Sequence, residues 1–392
     1  MHFTVGCNWE PELIDGLDFP EVTSLFGGLP DTLISGGRYS GLINPPELSD
    51  IKEYIQKVHI RGLEFDYNIN SICMANMEFS QEGYQAIVDY LASVADLGVN
   101  SLTVSIPSLL AIVKKHFPHL KTKISTFQKI DSVAMAQHFE DLGADAIMLS
   151  EHINRDFELL RAIRAAVHCK LVVIANVGCI YGCPNMHSHA NSIAHSGSKD
   201  QSNHGLGVES YQINCALHRL TNPMEFIRAR WIRPEDLHYY EELGINMIKI
   251  IDRHSSTAAL LERTAAYHRR SYHGNLVNFL GQMLNVKTSQ KMNLDYIFQN
   301  IRDSQTPKLM SLLRAMEIAM SDLVDIDNQK FPGNFLEGFT QQNCRYRSCD
   351  KCNYCRDIAA QTVRIASEDK RRRIIAKLTN IKQGIIDGSL LF

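Results

Sequence analysis

The chain has 392 residues, of which 45% are hydrophobic and 21% are charged, the balance of a globular protein with ample material for a core. Its formal net charge of −3 gives no reason to expect a nucleic acid or an anionic membrane surface as a partner. No apolar run approaches the roughly 20 residues of a membrane helix, and the amino terminus lacks the pattern of a signal peptide. These features predict a soluble cytoplasmic protein.

Short apolar runs alternate with segments of helical spacing along the first 270 residues. The runs predicted to be strands are Phe3–Val5, Thr32–Ser35, Leu63–Tyr67, Ser101–Ile106, Lys121–Ser125, Ala144–Leu149, Leu171–Val177 and Met247–Ile251. The predicted helices between them include Gln81–Ala95, Pro107–His116, Ser132–Leu142 and Asp156–Val167. Gly98, Gly143 and Gly244 each stand directly before a strand, where a left-handed glycine ends a helix.

Strands that alternate with helices predict parallel pairing through right-handed crossovers. Eight such strands favour a closed (β/α)8 barrel, and no G-x-G-x-x-G follows the first strand to indicate a dinucleotide fold. We therefore predict an α/β protein with a barrel domain at residues 1–270. The interval 178–246, between the seventh and eighth strands, is long and rich in Asn, Ser, His and Gly. We expect it to be an insert at the catalytic, carboxyl-terminal face of the barrel.

Residues 271–392 form a different region, a helical and Cys-rich extension. Helical spacing covers 275–284, 307–323 and 356–386, whereas 327–355 has the composition of a loop.

Seven of the ten cysteines fall into two groups. Cys344, Cys349, Cys352 and Cys355 lie within twelve residues, and the last three form C-x2-C-x2-C, a spacing that wraps three corners of an iron–sulfur cube. The other group is Cys179 and Cys183, directly after the seventh strand, with Cys215 later in the insert. In a reducing compartment such crowding indicates a metal site rather than disulfides.

Two ligand sets remain open at this point. Cys344 could join Cys179, Cys183 and Cys215 in one four-thiolate site, or the four cysteines of the extension could bind one cluster and leave the barrel group with an unidentified fourth ligand. A tetrahedral zinc on the extension is a further alternative. The remaining cysteines are predicted to be ordinary thiols without metal; they are Cys7, Cys73 and Cys169.

Polar side chains near these cysteines are candidates for chemistry. Histidine shuttles protons near neutral pH, and arginine grips carboxylates in a bidentate manner. The predicted catalytic residues are His187, His189, His195, Arg228, Arg230 and Arg233. Polar residues predicted to line a pocket from the strand ends are Asn68, Asn70, Ser125, Glu151, Asn176, Lys249 and Asp252.

Over about residues 25–255 the chain resembles the U32 peptidase family, the collagenase-like barrel proteins. The resemblance rests on the segments GGLPDTLISGG, LGADAIMLSEHINRDFELLRAI, VVIANVGCIYGCPNMHSHA, CALHRL and IRPEDLHYYEELGINMIKIIDR. It implies an oxygen-sensitive [4Fe-4S] cluster on four cysteines, oxygen-independent hydroxylation of a ubiquinone ring, a transfer RNA uridine or a ribosomal RNA cytidine, and prephenate as the oxygen donor. By this resemblance, Cys179, Cys183 and Cys215 correspond to cysteines that bind the cluster in the family.

The sequence departs from that family pattern in one respect. The resemblance implies a remaining cluster cysteine in the barrel region, but this chain has no cysteine between Cys215 and Cys344. The leading hypothesis is an iron–sulfur enzyme that modifies a small, aromatic or nucleotide acceptor with a prephenate-like donor, whose two carboxylates would suit the arginines. One alternative is an accessory iron–sulfur subunit of a heteromeric complex. A lesser alternative is a peptidase, although the sequence has neither G-x-S-x-G nor H-E-x-x-H.

Overall fold

The computed structural model describes residues 1–30, 32–39, 48–198, 210–281, 283–292, 310, 312–314, 316–341 and 344–390. Eight parallel strands close into a barrel in the order of the chain. They are β1 (His2–Gly6), β2 (Val22–Gly27), β3 (Glu64–Ile69), β4 (Ser101–Val104), β5 (Lys121–Ile124), β6 (Ala146–Met148), β7 (Lys170–Ile174) and β8 (Met247–Ile250). The pairing of β8 with β1, in which Lys249 is opposite Thr4, closes the barrel. The predicted (β/α)8 architecture is confirmed.

The predicted second strand is wrong. The strand is Val22–Gly27, whereas Thr32–Ser35 lies in the loop after it, where Thr32 makes one isolated bridge to Ser198. The apolar pattern of β2 is interrupted by Ser24, whose hydroxyl lies 2.9 Å from that of Thr4 inside the barrel. Because the inward position is polar, the strand does not show the continuous apolar run that marks a fully buried parallel strand.

Helices follow most of the strands and cover the outside of the barrel. They are α1 (Pro11–Gly16), α2 (Leu48–Ile60), α3 (Gln81–Asp96), α4 (Pro107–His116), α5 (Val133–Asp141) and α6 (Phe157–Ala166). The hydroxyls of Ser80 and Ser132 accept hydrogen bonds from the first turns of α3 and α5, which fixes where these helices begin. Gly98, Gly143 and Gly244 have φ values of 87°, 91° and 75°, so their predicted role as left-handed helix ends is confirmed.

A polar layer crosses the interior of the barrel. The Asp66 carboxylate accepts hydrogen bonds from Ser101 and Thr103 and lies 3.4 Å from the Lys123 ammonium. Lys249 is buried nearby, with its ammonium 3.7 Å from the centre of the Phe26 ring. The Asp66 charge is tolerated because it has both hydrogen bonds and an ion-pair partner.

The insert and the extension add further elements. In the insert are α7 (Met186–Ser196), α8 (Ser210–Thr221), α9 (Met224–Arg228) and α10 (His238–Glu242), and α11 (Thr257–Arg269) follows β8. The extension contains α12 (Leu276–Phe279), β9 (Val324–Ile326), α13 (Glu337–Gln341), α14 (Cys349–Cys352), α15 (Tyr354–Thr362), β10 (Val363–Ile365) and α16 (Glu368–Ile386). One apolar core contains residues of the barrel and of the extension alike.

Two predictions for the extension are wrong. The expected single helix at 356–386 is divided by β10, which pairs antiparallel with β9, and the expected loop at 327–355 contains α13 and α14. The helix expected at 275–284 is shortened to α12. Of the one expected at 307–323, residues 310, 312–314 and 316 are helical, and residues 307–309, 311 and 315 lie outside the described residues. Across the part of the chain that the structure describes, every helix is too short or too polar to cross a membrane.

Candidate functional site

Cys179 lies at the carboxyl-terminal mouth of the barrel. Its side chain packs on an apolar cluster that includes Phe26, Ile174 and Ile251, at the ends of β2, β7 and β8. Burial raises the pKa of the Cys179 thiol, and the nearby Glu151 carboxylate and Cys215 thiol add to this effect. A buried thiol held in its neutral form is inert by itself, so a cationic group is needed to make it a thiolate.

An ion pair stands beside this cysteine. The Lys129 ammonium lies 2.5 Å from the Glu151 carboxylate, and the Thr126 hydroxyl donates to the other carboxylate oxygen at 2.9 Å. Burial alone would lower the pKa of Lys129, but Glu151, Cys179 and Cys183 together raise it. Burial likewise opposes ionisation of Glu151, yet Lys129 lowers its pKa to about 2. The lysine is therefore a cation that faces both cysteines.

The three barrel cysteines come together at this end of the barrel. Cys179 and Cys183 both interact with Lys129, and Cys215 on α8 interacts with Cys179. The loop that carries Cys179 and Cys183 is held by the Arg219 guanidinium, which donates to the Gly178 carbonyl, and by the Gly182 amide, which donates to His152 Nδ1 at 3.1 Å. The insert thus brings the predicted barrel group to the carboxyl-terminal face of the barrel.

The four cysteines of the extension line one narrow cavity, whose wall also includes Arg228, Arg230 and Arg347. Asn353 joins α14 to α15 in a left-handed conformation with φ 56°, which asparagine tolerates better than most residues. This turn lets Cys352 and Cys355 line the same cavity although they lie on two helices. Cys344 therefore lies with the other cysteines of the extension, and both ligand sets considered from the sequence must be judged against this placement.

The three predicted arginines have different surroundings. Arg228 pairs with Glu225 at 2.5 Å, and Arg233 pairs with Asp236 at 2.7 Å. Arg230 is 5% exposed, and its guanidinium lies 3.9 Å from the centre of the Tyr181 ring. Burial opposes its charge, but the neighbouring Cys344 raises its pKa. Their role in gripping a substrate carboxylate stays a prediction.

The three predicted histidines all lie on α7. His187 is exposed, His195 is half-buried, and the His189 ring stacks on Tyr211 with 4.8 Å between ring centres. Their catalytic role stays a prediction.

A wider cavity of about 380 Å³ is lined by Tyr181 and Gly182, from the loop between Cys179 and Cys183, and by residues of the extension. Lys129, His152, Tyr181 and Arg230 line it, and Cys344 borders it as well as the narrow cavity. This volume suits a small molecule. A second cavity, of about 650 Å³, lies near the ends of β2 and β8 and includes Arg38, Asp252 and His254.

Two buried asparagines hold the segments around the site. Asn154 donates to the carbonyls of Ile174 and Arg230, each at 2.9 Å. The Asn176 side chain accepts from the Ile251 amide at 2.8 Å and donates to the Ile251 carbonyl. Asn176 was predicted to line a pocket, and the structure instead has it joining the end of β7 to the end of β8.

We expect Asn176→Ala to lower the free energy of unfolding by about 2–4 kcal/mol, because it leaves the buried Ile251 amide without its side-chain partner and removes the hydrogen bonds to the Ile251 and Phe279 carbonyls. Urea denaturation followed by circular dichroism measures the change. Asn246→Ala is the matched control, since that side chain is exposed, and it should stay within about 0.5 kcal/mol of the wild type. Equal stability of the two variants would contradict the assigned role.

Among the residues that the structure describes, no three His, Cys, Asp or Glu side chains are arranged to hold a metal ion.

Comparison with known proteins identifies the family. The model of peptidase family U32 matches residues 45–273, more than half of the chain. The chain belongs to peptidase family U32. Over 346 residues this U32 chain is 24% identical to an uncharacterized protease of Methanocaldococcus jannaschii, and the match covers 88% of the chain and 90% of that relative. The resemblance predicted from the sequence is confirmed.

Solved structures are similar to parts of this U32 chain. A U32 peptidase of known structure matches with a TM-score of 0.49 and 22% identity, covering 64% of this chain and 91% of the other. A nitroalkane oxidase from Streptomyces ansochromogenes matches with a TM-score of 0.29 and 14% identity, covering 69% and 90%.

Sequence reasoning missed several residues of the site in this U32 chain. Lys129 is a single lysine in a loop, and no sequence motif around it indicates a site residue. His152 lies in the loop after β6, and the rule that barrel chemistry lies at the carboxyl ends of strands could have indicated it. Tyr181 lies between Cys179 and Cys183, so its proximity to the cysteine group was implicit in the motif.

Proposed function

We propose that this U32 protein is an iron–sulfur enzyme that hydroxylates a small, aromatic or nucleotide acceptor without dioxygen, using a prephenate-like donor. The proposal is carried by one observation: Cys179 and Cys183 lie near Lys129 at the mouth of the barrel, and Cys215 lies near Cys179. Barrel enzymes keep their chemistry at this face. The proposal implies a reducing compartment, the cytoplasm, where thiols stay available to metal.

The residues at the mouth suit a [4Fe-4S] cluster. Cys179 is held as a neutral thiol by burial, and a bound iron would displace its proton and make it a ligand. The cation of Lys129 would then balance part of the negative charge that three thiolates bring into a buried place. When bound, the cluster would supply electron transfer or a Lewis-acidic iron.

The protein's own groups would bind and orient the reactants in the wider cavity. Cationic side chains outnumber carboxylates in its wall, which suits the two carboxylates of a prephenate-like donor; the cations are Lys129, Arg155, Arg161, Arg230 and Arg345, and the carboxylates are Asp131, Asp156 and Glu158. The Tyr181 ring offers an aromatic face for a ring-shaped acceptor. The Lys129–Glu151 pair is held in place by Thr126, so the cation stays fixed where the donor would be anchored.

The test begins with anaerobic purification and assays of iron and sulfide. Cys179→Ala is expected to lose most of the iron and visible absorbance of the barrel cluster, because the buried ligand is removed. Cys169→Ala is the matched control; Cys169 directly precedes β7, at the opposite end of the barrel, and its replacement should leave the iron content unchanged. Unchanged iron in Cys179→Ala, or a colourless protein with zinc alone, would show that the proposal is wrong.

Product analysis separates the proposed activity from its alternatives. Hydroxylation adds the mass of one oxygen atom to the acceptor, whereas a peptidase yields a cleaved peptide bond. An accessory iron–sulfur subunit would instead be purified anaerobically with a stoichiometric partner and would give no turnover alone.

A further inference from the structure

We infer that Cys344, Cys349, Cys352 and Cys355 hold a [4Fe-4S] cluster of their own, separate from the cysteines at the barrel mouth. The inference rests on the proposed function for its iron–sulfur chemistry and adds a second site to it. Its first support is that these four side chains, and none of the barrel cysteines, line the same narrow cavity.

The spacing favours a cube over a single ion. C-x2-C-x2-C presents three thiolates from one short segment and takes its fourth from elsewhere, which is the position of Cys344. A zinc site draws its four sulfurs onto one point at about 2.3 Å from the metal, whereas a cube keeps its ligands farther apart.

The cavity would have to widen to admit a cube. It now measures about 20 Å³, room for about one water molecule. All four thiols are half-buried rather than fully enclosed, and Cys349 and Cys352 are the first and last residues of the four-residue helix α14. Rotation of these side chains toward solvent therefore disturbs little of the core.

The second support is a buried cation above the cavity. Arg230 is 5% exposed, and its Nε and Nη1 atoms have no hydrogen-bond partner. A buried guanidinium with unpaired donors is costly unless an anion completes it. A cluster on four thiolates carries net negative charge, and its sulfurs accept hydrogen bonds. Arg228 and Arg347 line the same cavity and extend this positive surface.

The barrel and extension sites stay distinct but adjacent. The Arg230 guanidinium interacts with Cys344 and also stacks on Tyr181, which lies between Cys179 and Cys183. One arginine thus contacts both cysteine-bearing segments. If Cys344 is a ligand of the cluster in the extension, the cluster at the barrel mouth needs a fourth ligand other than this cysteine.

The experiment counts iron in the anaerobically purified full chain and in two variants, Cys352→Ser and Cys179→Ser, with Cys169→Ser as the control. We expect about eight iron atoms per chain in the wild type and the control, and about four in each variant. Electron paramagnetic resonance of the reduced wild type should show two signals. Cys352→Ser should lose the signal of the extension cluster, and Cys179→Ser should lose the signal of the barrel cluster.

The outcomes separate the two proposals. Iron that is unchanged in Cys352→Ser, or one zinc per chain that this variant loses, overturns the second cluster and leaves the barrel cluster standing. Iron that is unchanged in Cys179→Ser overturns the barrel cluster alone. Complete loss of iron in Cys352→Ser with an unaltered thermal unfolding profile means one shared cluster and also overturns the inference. If Cys352→Ser does not fold, Cys349→Ser is measured in its place.

A further variant tests the role of the arginine. Arg230→Met removes a buried positive charge beside the cluster, so the reduction potential of the extension's signal should fall while its iron remains. Arg230→Lys should keep the potential closer to that of the wild type, because it retains the charge. A potential that is the same in all three proteins would overturn the assigned contact between Arg230 and the cluster.

Discussion

Arg155→Ala is expected to lower the free energy of unfolding by about 3–5 kcal/mol. The Arg155 guanidinium is 3% exposed and donates to the carbonyls of Ile227 at 2.7 Å and Trp231 at 2.9 Å. It also lies 4.9, 4.9 and 4.7 Å from the ring centres of Trp231, Phe335 and Phe339. Charged hydrogen bonds contribute about 1.5–3 kcal/mol each, and desolvated cation–π contacts about 2 kcal/mol.

Part of this stabilisation is offset by the cost of burying the charge. Burial lowers the pKa of Arg155 to about 10, which shows that the charged form is disfavoured there. The alanine variant, however, also leaves two buried carbonyls unpaired and a cavity among the rings. The net effect therefore remains a large loss.

Urea denaturation of Arg155→Ala, read by circular dichroism and by tryptophan fluorescence, measures this loss. Arg161→Ala is the control, since Arg161 is exposed on α6 and should change stability by no more than about 0.5 kcal/mol. If both variants unfold at the same urea concentration, Arg155 does not join the barrel to the extension as described.

Lys249→Met is expected to stabilise the protein at neutral and mildly acidic pH by about 2–4 kcal/mol. Lys249 is 5% exposed and packs on the Phe26 ring and on Met148. Burial lowers its pKa from 10.5 to about 7, with Asp66 opposing the shift. At about 1.36 kcal/mol per pKa unit, this difference sets a ceiling of about 5 kcal/mol. Methionine fills similar space without a charge.

The same shift predicts the pH dependence of the wild type. Below about pH 7 both the folded and the unfolded chain carry the proton of Lys249, so the full cost of the buried charge is present. Between about pH 7 and 10.5 only the unfolded chain keeps that proton, and the free energy of unfolding rises with pH. Above that range the cost is gone.

Urea titrations at about pH 6, 8 and 9.5 measure this slope. The contribution of Lys249 should be present in the wild type and in Lys170→Met, a control at an exposed lysine on β7, and absent from Lys249→Met. A Lys249→Met protein with the slope and stability of the wild type would contradict the prediction.

The barrel was predictable from sequence because most of its strands are short buried runs between well-capped helices. β2 was missed because Ser24 belongs to the polar layer, which breaks the apolar run. In the extension, Val363–Ile365 continues a helical spacing but pairs with Val324–Ile326, nearly forty residues earlier. Pairing between distant segments leaves no trace in local periodicity.

The cysteine groups were predictable because their spacing is local, whereas the place of Cys344 was not. Spacing allowed it to join either group, and only the fold places it in one cavity with Cys349, Cys352 and Cys355. Lys129 was missed because its position near the cysteines depends on the fold. Its partner Glu151 lies on the next βα loop of the barrel, so no local spacing connects the two residues. The catalytic use of α7 and of Arg228 and Arg233 stays a prediction.

The antiparallel pairing of β9 with β10 has a consequence for how the extension could be gained or lost. The chain leaves the barrel side at Ile326 and returns opposite it at Val363, so the cysteine-bearing segment between them begins and ends at one place. Segments whose ends meet can be inserted or lost without changing the path of the chain on either side. The segment is in this sense a module, and its removal would uncover the guanidinium of Arg155, on which Phe335 and Phe339 now lie.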